Sequence, residues 1–293
     1  MLLGASIRFP KLGIEIEHLG TGINLFGIQI AYYGIIIALG MLVGYLLVEW
    51  QAKRTGQNKE LYLDFALYAI IISVIGARIY YVIFAFDEYK DNLWSVLNLR
   101  GGGLAIYGGI IAGALTAVVF AKVKKISFPL LADTCSVGLL IGQIIGRWGN
   151  FFNREAFGGY SDGLLAMQIK KSEVAASNIT QELVNHQVVI DGVEYIQVHP
   201  TFLYESLWNL ALLIIILVYT KHKKFNGELL LIYALGYGIG RAWIESLRTD
   251  QLLLWGTNIP VSEMLSIAVA VVAACLLIYN YIMLYKNKKV MQG

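Results

Sequence analysis

Charged residues are scarce in this sequence. Only 15% of the 293 residues are Asp, Glu, Lys or Arg, while 57% are hydrophobic and the mean hydropathy is +0.63. A soluble domain typically carries about 25% charged residues. The deficit, together with several long apolar runs, excludes an ordinary soluble domain and predicts a polytopic membrane protein. Basic residues form no patch of the kind that binds nucleic acid, so we expect no nucleic-acid partner.

Residues suited to metal binding and nucleophilic catalysis are also few. Cys135 and Cys275 both lie in apolar runs, which predicts buried thiols rather than a disulfide or a metal site. We therefore expect no metal and no cofactor. The GxSxG pattern does not occur and His199 has no obvious nucleophile, which argues against an intramembrane hydrolase. The N-terminal residues lack a long apolar core with a small-residue cleavage site, so we expect no removable signal peptide.

Seven stretches are long and apolar enough to span a membrane, which takes about 20 residues. We therefore predict an all-α polytopic membrane protein with seven transmembrane helices. We expect residues 1–293 to form a single membrane-embedded catalytic domain. The predicted segments are 25–48, 63–86, 102–121, 128–147, 201–220, 228–247 and 260–285.

Lysine and arginine alternate between the two sides of these segments. Four short, nearly acid-free stretches each contain three basic residues, whereas the regions between them carry mixed charge. Because basic loops face the cytoplasm, we predict an outside N-terminus and a cytoplasmic C-terminus. The basic stretches are 53–59, 122–125, 221–224 and 286–289.

One sizeable piece, residues 151–199, is predicted to lie outside the membrane as an insertion between segments four and five. Within it, residues 188–198 have the sequence VVIDGVEYIQV. This pattern predicts a β-hairpin that turns at Asp191-Gly192. We expect the insertion to form a small extracytoplasmic arm or cap.

The stretch from Gly146 to Gly158, GRWGNFFNREAFG, places charged and amide side chains at the end of segment four. Such side chains are costly in hydrocarbon and mark functional sites in membrane proteins. The structural alternative is an Arg–Glu pair that holds two helices together beside a glycine turn. In a chain this apolar, we favour the functional interpretation.

Four other stretches lie on the same predicted side. Pro200 suits the start of a helix, which would bury Glu205 just inside the bilayer, where it needs a hydrogen-bonding partner. A lone His at such an entrance is more often a capping residue than a catalyst. Close helix packing through small residues would explain some of the glycines in segment three. The tyrosines in segment one could belong to an aromatic belt at the membrane interface. The four stretches are YYG at 32–34, GGGLAIYGGIIAG at 101–113, HPTFLYESLWN at 199–209 and YGIGRAWIESLRTD at 237–250.

Tyr237, Arg241, Glu245 and Arg248 follow one another at helical spacing, so one helix face carries all four. An Arg241–Glu245 pair would leave most of the five guanidinium donors free. With Arg147 at the same level, these donors favour an anion, and phospholipid head groups are the anions at that depth. The residues thus predict a site that reaches lipid.

The stretch GRWGNFFNREAFG resembles the signature of the prolipoprotein diacylglyceryl transferase family, and the four other stretches appear in that family's order. The resemblance covers nearly the whole chain. It implies transfer of the sn-1,2-diacylglyceryl group of phosphatidylglycerol to the lipobox cysteine of a prolipoprotein, with a thioether formed and glycerol 1-phosphate released. It also implies a bacterial plasma membrane location, an active site toward the extracytoplasmic side and a monomer.

On this resemblance we expect catalytic and substrate-binding roles for two groups of residues. Many family members have His where Tyr107 stands, and a tyrosine with an ordinary pKa of about 10 would be a poor base at neutral pH. A transporter or channel for an anionic or lipid-like substrate is the alternative function, since buried charges and glycine-interrupted helices suit it too. The expected catalytic residues are Arg147, Arg241, Tyr107 and Glu245, and the expected substrate-binding residues are Tyr33, Gly108, Asn150, Asn153, Glu155, Gly158, His199, Glu205, Tyr237 and Arg248.

Overall fold

A computed structural model describes residues 6–99 and 102–292. Within these residues helices dominate, but seven short strands accompany them, so the prediction of an all-α protein is confirmed only in part. The helices are α1 (Tyr32–Arg54), α2 (Lys59–Phe84), α3 (Ile106–Lys124), α4 (Phe128–Asn153), α5 (Gln181–Asn185), α6 (Thr201–Tyr219), α7 (Glu228–Leu247) and α8 (Val261–Gln292). The strands are β1 (Ile7–Phe9), β2 (Ile14–Ile16), β3 (Gly22–Leu25), β4 (Ile28–Ala31), β5 (Met167–Lys170), β6 (Val188–Ile190) and β7 (Val193–Val198).

Six helices are long and apolar enough to cross a membrane within the described residues, namely α1, α2, α3, α4, α6 and α8. Helix α7 has the bounds predicted for the sixth segment, 228–247, and its 20 residues are sufficient in length. It is not one of those six, and it carries the charged residues Arg241 and Glu245. The helices make this a multi-pass membrane protein, as the composition predicted.

The first predicted segment begins too early in the sequence. Residues 22–31 form an antiparallel hairpin of β3 and β4, and α1 begins only at Tyr32. The turn places Phe26 and Gly27 at φ values of 51° and 81°, the left-handed conformations that a two-residue hairpin turn requires. The backbone N–H and C=O groups of residues 22–31 therefore pair between the two strands instead of within a helix.

A five-stranded antiparallel sheet has the order β2-β1-β5-β7-β6. The hairpin predicted at residues 188–198 is confirmed as β6 and β7, with Asp191 and Gly192 at φ values of 50° and 77°. The sequence did not indicate that β1 and β2 from the N-terminal region would join the 151–199 insertion. The core of this sheet includes fully buried Ile169 and Ile196, and it packs on Phe151 and Phe202 at the ends of α4 and α6.

The described chain divides into two compact units. The first contains residues 6–44, 138–223 and 229–292, and the second contains residues 45–137 and 224–228. In the first unit, α1 approaches α4 closely where Gly44 faces the backbone of Gly138. In the second unit, a Cβ on Gly76 or Gly108 would collide with the facing helix, so α2 and α3 pack through small residues.

Both cysteines are free thiols, but only Cys135 is partly buried and Cys275 is exposed on α8. The prediction of a buried thiol was therefore wrong for Cys275, whose helix presents that face outward. Among the described residues, no group of three or more His, Cys, Asp or Glu side chains is arranged to hold a metal ion.

Candidate active site

Three helices of the first unit bring two arginines to one buried carboxylate. Arg147 on α4 contacts Glu205 on α6 through Nη2 and Oε1 at 2.7 Å. Arg241 on α7 contacts the other oxygen of Glu205 through Nη1 at 3.0 Å. The Glu205 side chain is only 3% exposed, and a buried carboxylate requires such partners. Glu205 thereby holds the two guanidinium groups at one level of the bundle.

Helix α7 carries the row of side chains predicted to share a face. Arg241 Nη2 pairs with Glu245 one turn later, and Arg248 Nη1 lies 3.4 Å from the same carboxylate. Arg248 also forms a two-pronged contact with Asp250, with both N–O distances at 2.9 Å. Tyr237, one turn before Arg241, interacts with the Arg147 guanidinium group. The shared face is confirmed by these contacts, and Asp250 is a partner that the prediction omitted.

Arg147 is the most exposed arginine of this cluster. The three guanidinium groups of the cluster are matched by three carboxylates, namely the buried Glu205 and Glu245 and also Asp250, which pairs with Arg248. The Arg147 side chain is 22% exposed, compared with 12% for Arg241 and 14% for Arg248. Arg147 therefore has the most accessible donors of the three. We call Arg147, Glu205, Tyr237 and Arg241 the arginine layer.

The stretch GRWGNFFNREAFG turns back toward this layer at the end of α4 through a helix-terminating motif. The Glu155 amide donates to the Asn150 carbonyl at 3.1 Å, and the Arg154 amide donates to the Phe151 carbonyl at 3.2 Å. This pair of bonds is the Schellman pattern, with Arg154 in the left-handed position at φ 53°. The backbone thus reverses within the stretch and keeps Glu155 beside the last turn of α4.

Asn150 links the arginine layer to Glu155. Arg147 Nη1 donates to Asn150 Oδ1 at 3.4 Å, and Asn150 Nδ2 donates to Glu155 Oε1 at 3.0 Å. Asn153 Nδ2 donates to the same oxygen at 3.2 Å. Both amide side chains of the stretch are therefore oriented by one carboxylate, and Asn150 in turn orients Arg147.

Gly158 connects the stretch to the ends of two other elements. Its amide donates to the His199 carbonyl at 3.0 Å, and it forms an isolated β-bridge with Arg248. A Cβ at Gly158 would lie 2.8 Å from His199 Cβ and 2.9 Å from the Leu247 carbonyl oxygen, so only glycine fits. Gly158 therefore fixes where α6 begins relative to the end of α7.

His199 and Tyr33 contact different residues of the stretch, Gly158 and Gly149 respectively. His199 Nδ1 lies 3.2 Å from the Tyr204 hydroxyl. Burial lowers the pKa of His199 below its ordinary value, so the imidazole is neutral at pH 7. The Tyr33 ring packs against Gly149, where a Cβ would come within 2.6 Å of the ring. Tyr33 is thus in van der Waals contact with the stretch, as a substrate-facing or packing residue.

Tyr107 and Gly108 belong to the second unit. Both lie in the first turn of α3, where Tyr107 is half-buried and Gly108 is buried. A Cβ on Gly108 would lie 2.4 Å from the Gly76 carbonyl oxygen, so this glycine packs α3 against α2. Its predicted substrate contact stays a prediction.

Arg78 of α2 orders the loop before α3, although the sequence suggested no role for it. Its guanidinium donates to five backbone carbonyls at 2.7 to 3.1 Å. These carbonyls belong to Ser95, Val96, Asn98, Gly102 and Gly103. The loop that leads into Tyr107 is therefore wrapped around a buried arginine.

Arg154 ties three regions of the first unit together. Its Nε lies 2.7 Å from Glu173 Oε2, and its Nη2 donates to the Leu19 carbonyl. Ser6 Oγ donates to the same Glu173 at 3.2 Å. Arg154 thus joins the stretch, the N-terminal region and the insertion. Only the folded chain brings these distant partners together.

Comparison with known proteins finds relatives along most of the chain. A sequence model of the family described as Prolipoprotein diacylglyceryl transferase matches residues 21–279. The chain is similar to the Phosphatidylglycerol--prolipoprotein diacylglyceryl transferase of Oceanobacillus iheyensis, with 42% identity over 264 residues, 89% of this chain and 87% of the relative. It is similar to the enzyme of the same name from Listeria welshimeri, at 41% identity with 89% of each chain covered. The enzyme of that name from Clostridioides difficile is 43% identical over 79% of this chain and 84% of its own length.

Proposed function

Because the chain belongs to the prolipoprotein diacylglyceryl transferase family, we propose that the arginine layer is the site of its reaction. The protein is a transferase that moves the diacylglyceryl group of phosphatidylglycerol to prolipoproteins. The main support for this site is that Arg147 and Arg241 both pair with the buried carboxylate of Glu205. This shared partner holds the two guanidinium groups close together.

The reaction requires charge stabilisation at a leaving phosphate. The lipobox thiol loses its proton, and the thiolate attacks the sp3 carbon that joins the diacylglyceryl group to phosphate. A carbon–sulfur bond forms as the carbon–oxygen bond breaks, and glycerol 1-phosphate leaves with the electron pair. Guanidinium groups positioned where that negative charge develops stabilise the transition state. Arg147 and Arg241 are the groups proposed for this role.

The remaining predicted residues orient this pair or contact the substrates. Glu205 and Glu245 hold Arg241 between them, and Asn150 and Glu155 orient Arg147. We propose that the neutral imidazole of His199 and the Tyr107 hydroxyl donate or accept hydrogen bonds rather than abstract the thiol proton. The proposed substrate contacts also include Tyr33, Gly108, Asn153, Gly158, Tyr237 and Arg248.

We further propose seven membrane spans, with α7 as the sixth, in a monomeric enzyme of the bacterial plasma membrane. The alternation of basic stretches supports an outside N-terminus, a cytoplasmic C-terminus and an extracytoplasmic 151–199 insertion. Arg241 pairs with Glu205 on α6 and with Glu245 on α7 itself, and these ion pairs make the charges of α7 tolerable in a membrane. The active site would then open toward the outer leaflet.

The direct test is the complete reaction with purified protein. Labelled phosphatidylglycerol and a lipobox peptide should yield a thioether-linked peptide and glycerol 1-phosphate in equal amounts. A peptide with Ser in place of the lipobox Cys is the matched control and should give no product. Folded protein that forms neither product from the cysteine peptide would contradict the proposed reaction. A transporter or channel activity is not supported by the relatives.

A further inference from the structure

A second set of polar side chains lies one helical turn from the arginine layer. Gln143 on α4, Asn209 on α6 and Tyr233 on α7 are each four residues from a member of that layer, and four residues return to the same helix face. The contacts between these helices show that α6 runs antiparallel to α4 and α7. Gln143, Asn209 and Tyr233 are therefore displaced from the arginine layer in the same direction along the bundle. We call Gln143, Asn209 and Tyr233 the polar layer.

Several atoms of the polar layer have no hydrogen-bond partner among the described residues. Gln143 Nε2 donates to the Tyr233 hydroxyl at 2.9 Å, but the buried Gln143 Oε1 has no partner. Asn209 is 0% exposed, and both Oδ1 and Nδ2 of its side chain are unpaired in this part of the chain. By contrast, neighbouring Ser206 donates to the Ile144 carbonyl at 3.0 Å. Buried polar atoms are nearly always hydrogen-bonded, so these atoms point to a ligand.

We propose that the polar layer binds the free hydroxyls of the glycerol head group of phosphatidylglycerol. This proposal rests on the proposed binding of the lipid phosphate at the arginine layer. A diol offers two O–H donors and two acceptor oxygens, which complement the acceptors Gln143 Oε1 and Asn209 Oδ1 and the donor Asn209 Nδ2. The three side chains are uncharged, which suits hydroxyls better than the ammonium of an amine head group.

The dimensions agree with this assignment. One turn of helix separates the two layers by about 5.4 Å along the bundle axis. A glycerol unit attached to phosphate reaches roughly 5 Å, from bond lengths near 1.5 Å. A phosphate held by Arg147 and Arg241 therefore allows the glycerol hydroxyls to reach the polar layer. The layer would then select the head group, while the arginine layer acts on the phosphate that every phospholipid shares.

The test compares phosphatidylglycerol with phosphatidylpropanol, which has the same phosphate ester but no free hydroxyl. Initial rates of lipobox-peptide modification are measured with the purified full chain and each lipid. Because buried polar atoms are left unpaired by the propanol lipid, kcat/KM should favour phosphatidylglycerol by at least about tenfold. Asn209→Leu and Gln143→Met should bring that ratio toward one, by lowering the rate with phosphatidylglycerol alone.

Ser206→Ala is the matched control, since it removes a buried hydrogen bond on the same face of α6 outside the polar layer. It should leave the ratio of the two lipids unchanged. Equal rates of the unmodified protein with both lipids would overturn the proposal without any variant. Equal losses on both lipids in Asn209→Leu and Gln143→Met would also overturn it, because the layer would then be structural or hold only water. Failure of the proposed phosphate binding would give a different result. Arg147→Lys would then turn over each lipid at the same rate as the unmodified protein.

Discussion

Replacing Arg147 by lysine separates a role in phosphate binding from a role in holding helices together. Arg147 has one close ion pair, from Nη2 to Glu205, and a longer contact from Nη1 to Asn150. Lysine keeps the positive charge and can retain the pair with Glu205. It cannot reproduce the planar fork that binds two phosphate oxygens together. A structural role therefore largely survives this substitution, and a phosphate-binding role does not.

The expected magnitudes differ for the two roles. Losing one contact to developing charge in a transition state typically lowers kcat by about a hundred- to a thousandfold, or about 3–4 kcal/mol. The loss of unfolding free energy should be smaller, about 1–2 kcal/mol, because the ion pair with Glu205 can be retained and the hydrogen bond to Asn150 is lost. Arg241→Lys is less decisive, because Arg241 bridges two buried carboxylates and lysine can pair with only one of them.

The assay is turnover per folded molecule, with folded protein quantified by size-exclusion chromatography and thermal unfolding. Arg154→Lys serves as the matched control. Arg154 is a buried arginine of the same stretch, but its partners are Glu173 and two backbone carbonyls. It should lose thermal stability while keeping most of its activity per folded molecule.

Near-normal turnover in well-folded Arg147→Lys would refute the phosphate-binding proposal. The shared carboxylate of Glu205 would then be explained as a structural contact between helices. A large loss in Arg154→Lys as well would show that any disturbance of the stretch abolishes activity. In that case the effect of Arg147→Lys could not be assigned to phosphate.

Three further predictions concern other parts of the chain. Tyr107→Phe should retain substantial activity, because it keeps the ring and removes only a hydroxyl that is proposed to form hydrogen bonds rather than to abstract the thiol proton; loss of turnover that Tyr107→His restores would contradict this. In a cysteine-free background, Ser172→Cys should react with an impermeant thiol reagent applied from outside, and Lys223→Cys only after permeabilisation, whereas the reverse would overturn the topology. Gly158→Ala should lower folded yield and activity, because its Cβ would lie 2.8 Å from His199 Cβ; unchanged melting temperature and turnover would argue against that packing role.

Local features of this protein followed from the sequence because they depend on neighbouring residues. The hairpin at Asp191-Gly192 forms where two residues accept left-handed conformations between β-branched runs. The shared face of α7 follows from helical periodicity alone, which places Arg241 and Glu245 one turn apart. Composition likewise sufficed for the multi-pass membrane class, since hydropathy is a property of each segment by itself.

Contacts between distant segments were decided only by the tertiary structure. The sequence predicted that Glu205 needs a hydrogen-bonding partner inside the bilayer. It could not identify Arg147 and Arg241 as the partners, because they lie on two other helices. It also did not join β1 and β2 to the insertion, because strand pairing depends on register across more than a hundred residues.

The polar layer illustrates the same division. Helical spacing from Arg147, Glu205 and Tyr237 could have singled out Gln143, Asn209 and Tyr233 as residues on the same faces. Whether their polar atoms find partners depends on how α4, α6 and α7 pack, and only the three-dimensional arrangement leaves Asn209 buried with its amide unpaired among the described residues. Residue identity and periodicity are local properties of a chain, whereas hydrogen-bond satisfaction is a property of its packing.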